Sequence, residues 1–575
     1  FVSNAISGAG SLTKSGAGTL SLSATNTYTG GTTVNGGILE LTGGGGRITG
    51  AVTADGSGTL KVTHGAHNNL GSISSITLQN GGTVTDNSGG EYVQSVNLPV
   101  TFNNGGTMTS EPGTDGNAGF GSWLFNGGIT VTGTGLATIN ANRIGFGFDE
   151  TVTVDDTVAG AETDLLISSS IRGNWVGTIT KEGAGTLELT GDNVDTSPWL
   201  VKEGILELSG GADRIDGALI VDGVGTVKVS NASHNNMSAI DSITLQNGGT
   251  FTDNSQGGWV QSVFAPVTFT NSGTMTSEPG ANGTGNFGNY LFINGISVTG
   301  TGLATINPSG ISFNYSQTVT VADTVPGPGT DLLISCPIKS DRVGTLTKTG
   351  TGTLELTGGN NDPSPWSLSD GTLLVNSVVV GPVTVNSNAT VGGIGTISGV
   401  VTNLSDGHIA PGTNSMGGTL TLAGGLTLND GSILDIDVDT VGGTGDAIVI
   451  SGGTFTGAAS DGGVTVNVTT TGEEVVFYPL IDWSGAASAH VDLADFSVVY
   501  NGEDGGNNVP TPGWWIFLDD DAPTNCSFDG TLTITANLTC DRFEVLAGAN
   551  FSTGTYSVNA TGDAEINGIM NASLG

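Results

Sequence analysis

The chain has 575 residues, 52 of them acidic against 13 basic, for a formal net charge of −39. That balance excludes a DNA or RNA partner, which needs a Lys/Arg footprint to neutralise phosphates, and disfavours an anionic membrane surface. Three cysteines exclude a disulfide framework, and no apolar run approaches the roughly 20 residues that span a bilayer, so no membrane insertion is expected within this segment.

From the first residues onward, short runs alternate apolar and polar side chains, as in Thr19–Leu22, Thr59–Val62 and Ile129–Thr132. A period of two is that of a strand with one buried face. Gly-Gly, Asn-Gly and Asp-Gly pairs drawn from 98 glycines punctuate the runs. They supply turn positions that tolerate positive φ. Strong helix formers never recur at a 3.6-residue period, so no amphipathic helix is expected.

The runs recur as a block. Leu12-Thr13-Lys14 returns as Ile179-Thr180-Lys181 and as Leu346-Thr347-Lys348, with 181 − 14 = 167 and 348 − 181 = 167. Ile76 to Thr83 returns as Ile243 to Thr250, and Thr107 to Gly113 as Thr274 to Gly280, at the same lag. Two copies align without an insertion, and a third begins near Gly344 and diverges after Leu373. Residues 1–177 thus hold a partial lead-in and the first large repeat, 178–344 the second, and 345–518 a divergent continuation. Residues 519–575 read as a linker, from Asp519-Asp520-Asp521-Ala522-Pro523, and the start of a further β unit.

Gapless repetition of short strands predicts an all-β fold, a right-handed parallel β-helix, with a string of β-sandwich domains as the alternative. One coil takes roughly 20 residues, so a unit is expected to hold about eight coils. At the ~4.8 Å spacing of paired strands, some 500 residues give a rod of order 100 Å.

Gly16-Ala17-Gly18-Thr19-Leu20-Ser21-Leu22, then Asn26-Thr27-Tyr28-Thr29-Gly30-Gly31, then Gly37-Ile38-Leu39 resembles the autotransporter passenger-associated repeat. Gly183 to Gly191 with Gly204-Ile205-Leu206, and Gly350 to Gly358 with Gly371-Thr372-Leu373, are further matches; Pro198-Trp199 replaces the Tyr-Thr-Gly centre in the second. The resemblance implies a secreted or surface-displayed bacterial β-helix acting as a rigid stalk, fibre or adhesive scaffold. No membrane-embedded barrel pattern follows the repeats in this sequence. An export signal is expected upstream of Phe1 or already removed, and the pattern still running at Gly575 reads as part of a longer protein.

Some β-helix proteins cleave polysaccharides with paired carboxylates. Asp86 recurs as Asp253, Glu111 as Glu278 and Asp164 as Asp331, and a site duplicated every 167 residues reads as turn chemistry, so the chain is expected not to be an enzyme. Asp519, Asp520 and Asp521 are candidate calcium ligands, with Asp435, Asp437 and Asp439 alternating on another strand. His64 and His67 have metal-like spacing, but His64 becomes Asn231 in the second copy, which favours a loop role. Cys526 and Cys540 are candidates for a disulfide, whereas Cys336 aligns with Ser169. Tyr92 aligns with Trp259, and Trp123 with Tyr290; such rings are candidate glycan contacts or fillers of coil ends. The partners expected are host or surface glycans, or further copies in a fibre.

Overall fold

The structure, a computed structural model, describes residues 1–470 except 161, 174, 232, 235–236, 340–341, 414–416 and 440–443; 477–500 except 484, 490 and 492–494; and, beyond 500, only the backbone of short strands. Among the described residues every regular element is a strand. Two compact units divide them: Phe1–Ser297 with Ala304–Ile311, and Val298–Leu303 with Ser312–Gly575.

In the first unit each strand pairs in parallel with the strand one coil later. Leu12 faces Thr32, Thr32 faces Val52, Val52 faces Ile76, Ile76 faces Val100, Val100 faces Ile129, Ile129 faces Val152, and Val152 faces Lys181. A 167-residue block is therefore seven coils, not about eight. The step grows from 20 residues (Leu12 to Thr32) to 29 (Val152 to Lys181), because loops such as that between Val154 and Leu165 lengthen the later coils. Parallel pairing over such steps makes this a parallel β-helix and overturns the sandwich alternative, whose strands pair antiparallel. Pairing of Glu150–Val154 with Ile179–Glu182 runs straight across the boundary between sequence copies at 177/178.

Alternation determines which residues stack inside. Leu39, Leu60, Val84, Met108, Ile139, Ile167, Leu189 and Leu208 form one in-register column, every member buried. Each such side chain contributes roughly 1.5–3 kcal/mol by leaving water. On the opposite face of the neighbouring strands, Thr13, Thr33, Thr53, Thr77, Thr101, Thr130 and Thr153 stack outward in register. β-branched residues suit a pleated surface that is half solvated. A third face closes the later coils of this block, stacking Gln94–Val96, Trp123–Phe125, Arg143–Phe146 and Ser170–Arg172.

The second unit repeats the scheme. Leu354, Leu373, Val391, Ile409, Leu434 and Val466 form a buried column. Asp519 is the last residue of the strand Trp515–Asp519, whose backbone pairs with Phe477–Asp482, so the expected linker begins no earlier than Asp520.

Candidate functional site

Where the repeat lag is strictest, the structure buries a lysine. Period-two alternation puts Lys14 on the same inward face as Leu12, and Lys181 and Lys348 follow one block apart. Lys181 is fully buried, and its Nζ donates to the carbonyls of Glu182 (3.0 Å), Gly183 (2.7 Å) and Glu203 (3.0 Å). Lys14 donates to Ser15 (3.3 Å), Gly16 (2.7 Å) and Gly36 (2.8 Å); Lys348 donates to Gly350, Gly352 (2.5 Å) and Asp370 (2.9 Å). Each ammonium thus joins a turn of its own coil to the matching turn of the next. Burial holds Lys181 and Lys348 down at about 8, opposed at Lys181 chiefly by the nearby charge of Asp164 and at Lys348 by Asp370 and Asp331.

Glycine makes this cage. Gly37, Gly204 and Gly371 each have φ +63°, and a Cβ at Gly204 would lie 2.5 Å from the carbonyl oxygens of Gly183 and Gly185. Only a residue without a side chain lets the next coil approach that closely.

Asp164 anchors the loop that precedes it. Its Oδ1 accepts from the Thr157 N–H (2.6 Å), the Thr157 hydroxyl (3.0 Å) and the Val158 N–H (2.7 Å), and its Oδ2 from the Thr186 N–H (2.7 Å). Asp331 makes the same four bonds to Thr324, Val325 and Thr353. Asp86 and Asp253 are buried and accept from the Ser88 and Ser255 N–H groups, each at 3.0 Å, as the turn reading requires. Burial raises both carboxyls, Asp86 to about 6. The copies differ in one respect: Asn289 donates to Asp253 Oδ2 at 2.8 Å, whereas Ser122 stands at that place in the first copy and Asp86 Oδ2 has no partner.

At an exposed corner, asparagines form a ladder between coils. Asn80 donates to Asp55 (2.8 Å), Asn104 to Asn80 (3.0 Å), and Thr134 N–H to Asn104 (2.9 Å). Asn80 and Asn104 have φ +49° and +59°, a conformation asparagine tolerates. Asn247 and Asn271 rebuild the ladder on Asp222 in the second copy.

The four candidate rings separate into two kinds. Trp123 and Tyr290 are fully buried and cannot meet a glycan, which corrects that reading. Their exchange is explained inside the coil: Trp123 Nε1 donates to the Thr109 carbonyl and Tyr290 Oη to the Thr276 carbonyl, both at 2.8 Å. Tyr92 and Trp259 stand at the surface, each edge-on to a histidine, with centroids 5.3 Å from His67 and 4.8 Å from His234. The Nδ1 atoms of His67 and His234 accept from the Val93 and Val260 N–H groups at 3.1 Å, which assigns these histidines to the loop.

Among the described residues no three His, Cys, Asp or Glu side chains gather as a metal site. Asp435 is bonded to His408 (2.6 Å) and accepts from Asn467 (2.7 Å). The side chains of Asp519, Cys526 and Cys540, and all of Asp520 and Asp521, lie outside the described residues. The backbone pairs Cys526 with Phe543 and Cys540 with Ala560. Cys336 is buried and free, and burial pushes its thiol up to about 12.

One surface group was missed at the level of sequence. Phe148 and Trp175 stack with rings 3° from parallel and centroids 5.1 Å apart, and Phe120 leans on Trp175 at 5.0 Å. The signal lay in the coil step: 175 − 148 = 27 residues places both rings at the same corner of successive coils.

A family model described as the passenger-associated transport repeat matches residues 12–41, 179–212 and 346–375. These segments carry Lys14, Lys181 and Lys348 with Gly37, Gly204 and Gly371, so the match and the buried cages coincide. The chain therefore contains three such repeats. They imply an autotransporter passenger domain, broadly extracellular, of the secreted or surface-displayed bacterial kind. No curated protein matches the chain.

Proposed function

We propose that this chain is a structural segment of an extracellular passenger, a stalk or adhesive scaffold without catalytic activity. The observation that carries the reading is where the most strictly repeated polar residues lie. Lys181, Asp164 and Asp253, with their counterparts, face backbone or neighbouring side chains inside the coil rather than a cleft. What is kept from copy to copy is the means of stacking one coil on the next. An acidic surface suits solubility outside a cell.

A second reading, a carbohydrate-binding surface module, is favoured by Tyr92 and Trp259, which keep an accessible ring at one position in both copies. Antibody labelling of intact cells, with adhesion scored on glycan-coated surfaces, tests the proposal. Labelled cells whose adhesion survives Tyr92→Ala with Trp259→Ala support the scaffold reading alone. Release of reducing sugars from a polysaccharide by the purified chain would overturn the non-catalytic assignment.

A further inference from the structure

The stacked rings of Phe148 and Trp175, with Phe120 beside them, are exposed apolar surface that the coil interior does not require. Phe148 is 63 % exposed and Trp175 37 %. Phe148 lies in the turn between Arg143–Phe146 and Glu150–Val154, and Trp175 in the corresponding turn of the next coil. Hydrogen-bonding groups flank them. Asn126 donates to Asn97 at 2.6 Å on the coil below, and Asp149, next to Phe148, accepts from the Thr178 N–H at 2.8 Å with Oδ1 only.

The second copy decides what such a surface is for. Phe148 corresponds to Tyr315 and Trp175 to Arg342, since 148 + 167 = 315 and 175 + 167 = 342. Tyr315 is 58 % exposed, and the Arg342 guanidinium lies over its ring at 5.6 Å. Both copies thus present two flat groups stacked at one corner, while hydrophobicity is given up in the second. A patch selected for joining two protein copies would keep its apolar character. Three rings also fall far short of the roughly 800 Å² per partner that a stable interface buries, and a net charge of −39 repels a second copy.

We infer that Phe148 and Trp175, flanked by Asn126 and Asp149, form a stacking platform for a neutral pyranose sugar of an extended glycan. The apolar C–H face of the sugar lies on the ring, and its equatorial hydroxyls reach the amide and carboxylate at the rim. Rings amphipathic in this way bury one face while their surroundings stay wet. The platform is separate from Tyr92 and Trp259, so failure of one leaves the other standing.

The test uses the full chain and a panel of neutral oligosaccharides, namely cellohexaose, xylohexaose, maltohexaose and chitohexaose, titrated while tryptophan fluorescence is read. At least one member is expected to shift the emission with a millimolar or tighter Kd, and Trp175→Ala to weaken it at least tenfold. Phe148→Ala, which leaves every tryptophan in place, is expected to weaken the same sugar several-fold, and Tyr92→Ala to leave it unchanged. Circular dichroism identical to the parent shows that the variants are folded. Absence of binding by all four sugars, or equal binding by Phe148→Ala and the parent, would overturn the inference. So would concentration-dependent self-association that Trp175→Ala abolishes, which would assign the rings to a second copy.

Discussion

Replacing Lys181 with methionine removes the ammonium and keeps much of the side-chain volume. Three carbonyls, those of Glu182, Gly183 and Glu203, then lose their donor in a site the solvent does not reach. Two effects oppose each other. The shift from an ordinary 10.5 to about 8 means that keeping the buried lysine charged costs roughly 3 kcal/mol, which methionine would recover. Against this, three charge-assisted hydrogen bonds are worth about 1.5–3 kcal/mol each. The bonds win, and Lys181→Met is expected to destabilise by about 2–5 kcal/mol, read as a lower urea midpoint. Lys202→Met is the control: its pair with Glu182 is 3.0 Å long but nearly half exposed at both ends, so a change under about 0.5 kcal/mol is expected. The same lysines set a pH dependence. Their folded value lies below the unfolded one, so between about 8 and 10.5 the unfolded chain binds more protons, and Lys181 and Lys348 add stability as pH rises through that window. Equal urea midpoints for Lys181→Met and the parent would refute the cage.

Three further substitutions use one copy to inform the other. Ser122→Asn supplies Asp86 Oδ2 with the amide that Asn289 gives Asp253; thermal unfolding is expected to show a gain of about 1 kcal/mol, and carboxyl titration by NMR to show Asp86 moving down from about 6. Gly204→Ala drives a Cβ to 2.5 Å from two carbonyl oxygens and is expected to cost well over the roughly 1 kcal/mol of Gly16→Ala, where φ is +78° but nothing lies within 4 Å. Comparing their melting temperatures checks both. Trp123→Tyr, which can remake the bond to Thr109 as Tyr290 does to Thr276, is expected to lose less than about 1.5 kcal/mol. Trp123→Phe leaves that carbonyl without its donor and is expected to lose about 1–3 kcal/mol more; urea unfolding of the pair separates them.

The all-β class, the parallel stacking and the 167-residue unit were legible because alternation and lag are properties of the sequence alone. Ile129–Thr132 does bury every second residue as its pattern requires. The number of coils was not, because a turn and a ten-residue loop leave the same gap between strand-like runs. Lys14 was visible only as a marker of the repeat, although its place two residues after Leu12 put it on the inward face. A charge on that face is assigned its role by carbonyls of the next coil, 22 residues away at Gly36. Trp123 and Tyr290 looked like surface rings because exchange between flat residues is silent about burial; the shared donor to a carbonyl 14 residues back appears only in three dimensions. Phe148 and Trp175 were separated for the same reason.

The most direct test of the central claim, that the repeat is a stackable unit of a scaffold, is deletion of residues 178–344, which joins Gly177 to Thr345 as Gly344 is joined to it in the parent. Removing one whole unit keeps Lys348 in the register that Lys181 occupied. The shortened chain is expected to fold with a circular dichroism spectrum and melting temperature within a few degrees of the parent, and to be labelled on intact cells as the parent is. A deletion chain that is unfolded, or that fails to reach the surface, would contradict the claim.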